Sequence, residues 1–255
     1  MTFAISGKKI VAAVQFQPKI LEVDKNISEA QQLAFEAAAK GSKVIVLPEL
    51  CTSGYVFRNS REASQCAQDK NGYQTQAFIP IARKFNCNIV FGYPEIYEGK
   101  LYNSAAVVGP TGLIGNSQKH NLWGSDNLWA QPSEQMHPVI TTEIGRLGVL
   151  VCRDVMNRYR ESYKFFNPDH RFYKKGSVDT IALLTNWGTG FGFPDSSWVE
   201  LSEQTDANVI ISNRVGKERD LKFKGGSCIV DRERKVWTNG SSFTESAVVG
   251  GVVIL

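Results

Sequence analysis

The sequence has little of what marks several large functional classes. Histidine occurs only at positions 120, 137 and 170, and none stands at the spacing of a metal-ligand set, so no metal is expected. The five cysteines (51, 66, 87, 152 and 228) are odd in number and scattered. That fits neither a disulfide framework nor a zinc ribbon, and a reducing, cytoplasmic setting is the resulting expectation. No apolar run approaches the length of a membrane span, and residues 1–9 lack the charged-then-apolar design of a secretion signal. Dense basic runs are missing too; the nearest, residues 214–219, contains Glu218. With a net charge of only +4, nucleic acid is not an expected partner. Low-complexity linkers and simple repeats are also wanting.

What is present fits one domain over residues 1–255. The chain is 42% hydrophobic, with 21% charged residues interspersed, enough to bury a full core. Residues 10–16 read as a buried strand stopped by Pro18. A helix follows, with Asn26 and Glu29 resembling a capping box and Gly41 just past its end. Ile27, Ala30, Leu33, Ala34, Ala37 and Ala38 keep helical spacing along one face. Residues 44–47 are a short continuous apolar run, the mark of a strand covered on both sides. Together these predict a layered α/β architecture. Further strands are expected at 88–92, 101–108, 113–118, 147–151, 180–184, 209–212, 227–231, 235–238 and 247–254. Additional helices are expected around Phe78–Phe85 and 196–207, and after Arg158.

Chemically useful residues fall where buried strands end. The run 44–47 delivers Pro48-Glu49, 113–118 delivers Lys119-His120, and 147–151 delivers Cys152-Arg153-Asp154. In layered α/β folds, strand ends aim side chains into a crevice. A base, a cation and a thiol are the parts needed for covalent hydrolysis of a carbonyl–nitrogen bond. Each also has a bland reading: Glu49 as a cap or ion-pair partner, Lys119 as surface charge, a cysteine as an inert small hydrophobe. Cys51, Cys66, Cys87 and Cys228 take that last reading. The flanking sequence distinguishes Cys152.

Val44-Ile45-Val46-Leu47-Pro48-Glu49-Leu50 with Ser53-Gly54-Tyr55, Gln118-Lys119-His120-Asn121-Leu122, and Gly148-Val149-Leu150-Val151-Cys152-Arg153-Asp154 resemble the glutamate, lysine and cysteine motifs of the nitrilase-type carbon–nitrogen hydrolase superfamily. Thr185-Asn186-Trp187, Ser212-Asn213-Arg214-Val215-Gly216 and Gly225-Gly226-Ser227 match its pattern downstream. The resemblance implies a four-layer α-β-β-α sandwich that dimerises, usually through its helical faces, and uses no cofactor. It implies Glu49 as base, Lys119 as oxyanion-stabilising cation and Cys152 as nucleophile, with the Arg153 backbone N–H as second oxyanion donor. Asp126, Tyr55, Asn186 and Trp187 are the candidates for binding or orienting substrate. A small linear amide is the expected substrate. The alternatives are nitrile or N-carbamoyl hydrolysis by the same residues, and a catalytically silent binding module. A papain-like hydrolase is disfavoured, because no cysteine sits in that family's motif context.

The sequence also departs from the family pattern. Aligned on Pro132, Asp126 stands where many members carry glutamate, one methylene longer. It reads equally as an aspartate in a polar loop. Asp154 leans towards the amidase side, whereas Arg153 fits neither amidase nor nitrilase habit. Arg153 reads as a partner for a substrate carboxylate or, the preferred reading, as half of a structural salt bridge. Segment 155–176 matches poorly, with residues 165–171 read as an insertion, and the Gly- and Phe-rich residues 188–194 read as a pocket-covering loop. Trp123, Trp129 and Trp187 read as pocket lining or, more commonly for tryptophan, as core.

Overall fold

A strand buried on both faces should split its side chains between two cores, and the first one does. In the computed structural model, which describes residues 7–156, 173–188, 195–238 and 246–254, β1 (Lys8–Gln15) points Val11 and Ala13 into one apolar cluster. It points Ala12 and Val14 into another. The same alternation holds in β2 (Val44–Val46), where Val44 and Val46 face one cluster and Ile45 the other.

The remaining strands are β3 (Asn88–Tyr97), β4 (Lys100–Gly109), β5 (Gly112–Gln118), β6 (Val139–Thr142), β7 (Gly145–Val151), β8 (Thr180–Thr185), β9 (Asn208–Asn213), β10 (Val215–Glu218), β11 (Leu221–Lys224), β12 (Cys228–Val230), β13 (Val236–Thr238) and β14 (Ala247–Ile254). One six-stranded sheet runs β14-β1-β2-β3-β4-β5, the other β13-β12-β9-β8-β7-β6. Each has a parallel centre, β1-β2-β3 and β7-β8-β9, with antiparallel strands outside it. The inner faces of the two sheets share one core. The Ser212 hydroxyl crosses between them to the Val14 carbonyl at 2.6 Å.

Helices α1 (Val23–Ala39) and α3 (Tyr73–Phe85) cover the outside of the first sheet, with Ala30, Ala34, Ala37, Phe78 and Ala82 buried against it. The short α2 (Ser60–Ser64) is capped by the Asn59 side chain. Helix α4 (Asp195–Thr205) covers the second sheet through Trp198 and Leu201. This is the four-layer α-β-β-α sandwich. Among the described residues no helix is long and apolar enough to cross a membrane. The expected helix after Arg158, the insertion 165–171 and most of the loop 188–194 lie outside the described residues.

One expectation needs correction. Helix α1 begins three residues before Asn26, with Glu22 at its N-cap and no side-chain cap bond. Asn26 is buried and does another job: it accepts the Lys19 N–H at 2.7 Å and donates to the Lys19 and Thr52 carbonyls. It thus ties the segment after β1 to the one that follows Glu49. Residues 215–218 of the run that contains Glu218 form β10 and pair with β11, with Arg219 in the left-handed region at the turn.

Candidate active site

β2 and β5 belong to one sheet and β7 to the other, so the three motif residues meet only because the sheets stack with these strand ends on the same side. Glu49, Lys119 and Asp126 are fully buried. The Lys119 ammonium lies 2.6 Å from Glu49 Oε1 and 2.7 Å from Asp126 Oδ2. The Asn103 side-chain amide, from the middle of β4, spans the same two carboxylates, donating to Glu49 Oε1 at 2.8 Å and Asp126 Oδ1 at 3.1 Å. Glu49 Oε1 therefore receives two donors, whereas Glu49 Oε2, equally buried, has no partner among the described residues. Burial alone would pull Lys119 down, but the Asp126 and Glu49 charges hold it well above its ordinary value, so it stays protonated. Burial pushes Glu49 above the usual carboxylate range, against the pull of Lys119.

Cys152 takes a φ of 49°, a left-handed conformation that a residue with a Cβ adopts only when its surroundings hold it there. The holding group is Asp154. Its Oδ1 accepts the backbone N–H groups of His120 and Asn121, both at 2.9 Å, and its Oδ2 accepts that of Val151 at 3.1 Å. One buried carboxylate so fastens the lysine segment of the first sheet to the cysteine turn of the second. The Asn121 side chain adds bonds to the Arg153 and Met156 carbonyls. Burial, followed by the Glu49 charge, raises the Cys152 thiol well above its ordinary value; Lys119 and the backbone N–H of Asn186 oppose this.

Residues 10–165, more than half of the chain, match the family model for carbon–nitrogen hydrolases. The chain belongs to the carbon–nitrogen hydrolase family. This hydrolase is 33% identical, over 95% of its length and 88% of the other protein's, to a nitrilase of Pyrococcus abyssi. It is 28% identical to a protein N-terminal amidase of Schizosaccharomyces pombe, over 86% of this chain and 89% of that one. In fold it is similar to the amidase from Nesterenkonia sp. AN1, with a TM-score of 0.74, 17% identity and coverage of 99% and 92% of the two chains. Its relatives within the family thus include both nitrilases and amidases.

The hydrolase places the other candidate residues unequally. Asp126, although shorter than glutamate, reaches Lys119 directly because the 3-10 turn Gly124–Leu128 carries it inward. Tyr55 is buried on Phe223 and donates to the Trp123 carbonyl at 3.1 Å, making no bond to the ion cluster. Asn186 donates its amide to the Glu49 carbonyl at 3.0 Å. Trp187 is held by its N–H on Asn213 Oδ1, and its ring packs edge-on to Trp198 in the core. Trp129 packs on Phe57, and Trp123 lies beneath Arg153, whose guanidinium carbon is 5.7 Å from the ring centroid. For the preferred salt-bridge reading of Arg153, the described residues offer no carboxylate within ion-pair distance, and Glu161 and Asp169 lie outside them.

Sequence reasoning missed Asn103 and underread Asp154. An asparagine inside the strand run Leu101-Tyr102-Asn103-Ser104-Ala105 was the available signal, since a buried amide in a strand must find partners. Also unforeseen was the buried Arg214–Glu218 pair at 2.8 Å. Glu218 accepts the Tyr55 and Val56 N–H groups, while Arg214 donates to the Pro18 carbonyl, bracing the loop beyond Glu49. Among the described residues no group of three or more His, Cys, Asp or Glu side chains is arranged to hold a metal ion.

Proposed function

We propose that this hydrolase cleaves a small linear amide through a thioester on Cys152. The observation that carries the reading is the asymmetric Glu49 carboxylate, one oxygen bound to Lys119 and Asn103 and the other buried and unpartnered. Glu49 Oε2 takes the thiol proton as Cys152 Sγ attacks the amide carbon. The carbonyl oxygen becomes an oxyanion, stabilised by Lys119 and by the backbone N–H of Arg153, which lies in the first turn of the 3-10 segment Cys152–Val155 and has no acceptor within it. Losing one such donor costs on the order of 3 kcal/mol of transition-state stabilisation. The C–N bond then breaks as Glu49 returns the proton to the leaving nitrogen, giving ammonia or an amine. Water, deprotonated by Glu49, attacks the thioester; the C–S bond breaks, and carboxylic acid and thiol are released.

The amidase names among the relatives support an amide over other C–N substrates. Nitrile hydrolysis by the same residues is the second reading, favoured by the nitrilase name of the Pyrococcus relative. Ammonia release from matched amides, ureides and nitriles separates the two. Cys152→Ala should abolish turnover and the acyl adduct that mass spectrometry detects with a slow substrate. Cys51→Ala and Cys228→Ala should leave turnover largely intact. Full activity in Cys152→Ala would overturn the mechanism.

A further inference from the structure

Arg153 is the residue that the catalytic scheme leaves least explained. Its backbone is locked, with the carbonyl accepting from both the Asn121 amide and the Met156 N–H. Its side chain has no such fixture. The guanidinium lies over Trp123, a contact that uses its face and not its in-plane N–H donors. Its Nε is buried with no hydrogen-bond partner, an arrangement that native proteins keep only with a reason. The same side chain lines a cavity of about 410 Å³, together with His120, Asn121, Leu122, Ala130 and Pro132. That volume suits a small ligand; none of the described lining residues is acidic, and the cavity adjoins Cys152 through Arg153, its neighbour in the chain.

We infer that Arg153 binds a carboxylate carried by the substrate itself, making this hydrolase selective for small amides that also bear an acid group. The inference rests on the amide-hydrolysis reading of Cys152. Cys152 and Arg153 are consecutive, with Cα atoms ~3.8 Å apart, so one turn of chain would position both the reacting carbonyl and the anionic end. A planar guanidinium binds a carboxylate through two parallel N–H···O bonds. Contact with Trp123 restricts the fork beforehand and lowers the ordering cost of binding. The locked backbone matters equally, since the residue that recognises the acid is also the residue whose N–H faces the oxyanion. A correctly seated carboxylate would thereby register the scissile carbonyl.

The test compares succinamate with butyramide, which differ only in replacing a carboxylate by a methyl group. Wild-type kcat/KM should favour succinamate on the order of 10- to 100-fold, the range of a charge-assisted hydrogen-bond pair. Arg153→Met should bring the ratio of the two close to one, and Arg153→Lys, which keeps the charge but not the fork, should retain part of it. Equal wild-type efficiency on both amides, or an unchanged ratio in Arg153→Met, overturns the inference and leaves amide hydrolysis standing. If neither amide is turned over, it is the functional reading that fails, and calorimetry with succinate still decides the site. Succinate binding by the wild type that is lost in Arg153→Met upholds the anion site, and binding that is absent or equal in both overturns it.

Discussion

Glu49 has two oxygens in unequal surroundings, and Asn103 is part of the reason. By donating to Oε1 it shares with Lys119 the work of stabilising the ionised carboxylate, and it leaves Oε2 as the available base. Glu49 is raised mainly by burial, and the Asn103 hydrogen bond pulls it down. Removing that bond must therefore raise it further. A base works only when deprotonated, so activity falls as pH drops through its pKa, and a higher pKa moves that acid limb to higher pH. Asn103→Leu should shift the acid limb of kcat/KM upward and lower the plateau on the order of tenfold. A reduced plateau with an unmoved limb would assign Asn103 to structure alone. Residue types gave Glu49, Lys119 and Cys152 because each ends an apolar run. They could not give Asn103, whose partners lie 54 and 23 positions away.

At the level of elements, the site depends on a strand that supplies no chemical group. Gly92 in β3 lies under the turn that carries Glu49. A Cβ there would meet Leu50 N at 2.3 Å and Glu49 Cα at 2.7 Å, and both are backbone atoms that have no side-chain freedom with which to yield. Gly92→Ala should keep the circular dichroism of the fold yet lower kcat on the order of 100-fold, the usual consequence of misplacing a catalytic group by about 1 Å. Wild-type kcat would show that the Glu49 turn tolerates displacement. Most strands were legible as short apolar runs, and α1 and α3 as periodic ones. The start of α1 was misread because Asn26 satisfies the capping pattern while its side chain serves the Lys19 and Thr52 backbone. The β10–β11 hairpin is not legible because its residues are mostly polar, and Glu218 within it serves the Tyr55 and Val56 N–H groups, far away in sequence.

Across the whole molecule, the two sheets must approach closely enough for β7 to bring Cys152 to groups held by β2 and β5. Gly251 in β14 is one place where that approach is tight. A Cβ there would stand 2.8 Å from Ile229 Cδ1 and 3.2 Å from Trp237 Cβ, both on the opposite sheet. Gly251→Val should destabilise the protein by about 1–3 kcal/mol, as overpacking does. Urea unfolding should show this as a lower midpoint with an unchanged slope; an unchanged midpoint would mean that the sheets can part at this corner without loss. The layer order followed from sequence because alternation and continuous apolar runs are local. The stacking of one sheet on the other was not legible in that way, because it depends on pairs such as Ser212 with Val14, 198 positions apart.

The pairing of β14 with β1, which sets Lys8 opposite Ile254, also has a consequence for the order of assembly. During synthesis β14 is made after every other described element, so one edge of the first sheet stays open while those elements are being made. An unpaired apolar edge of this kind invites association between neighbouring nascent chains. The last step of folding on this account is a docking event, in which a late strand closes the sheet whose other strands already carry Glu49 and Lys119.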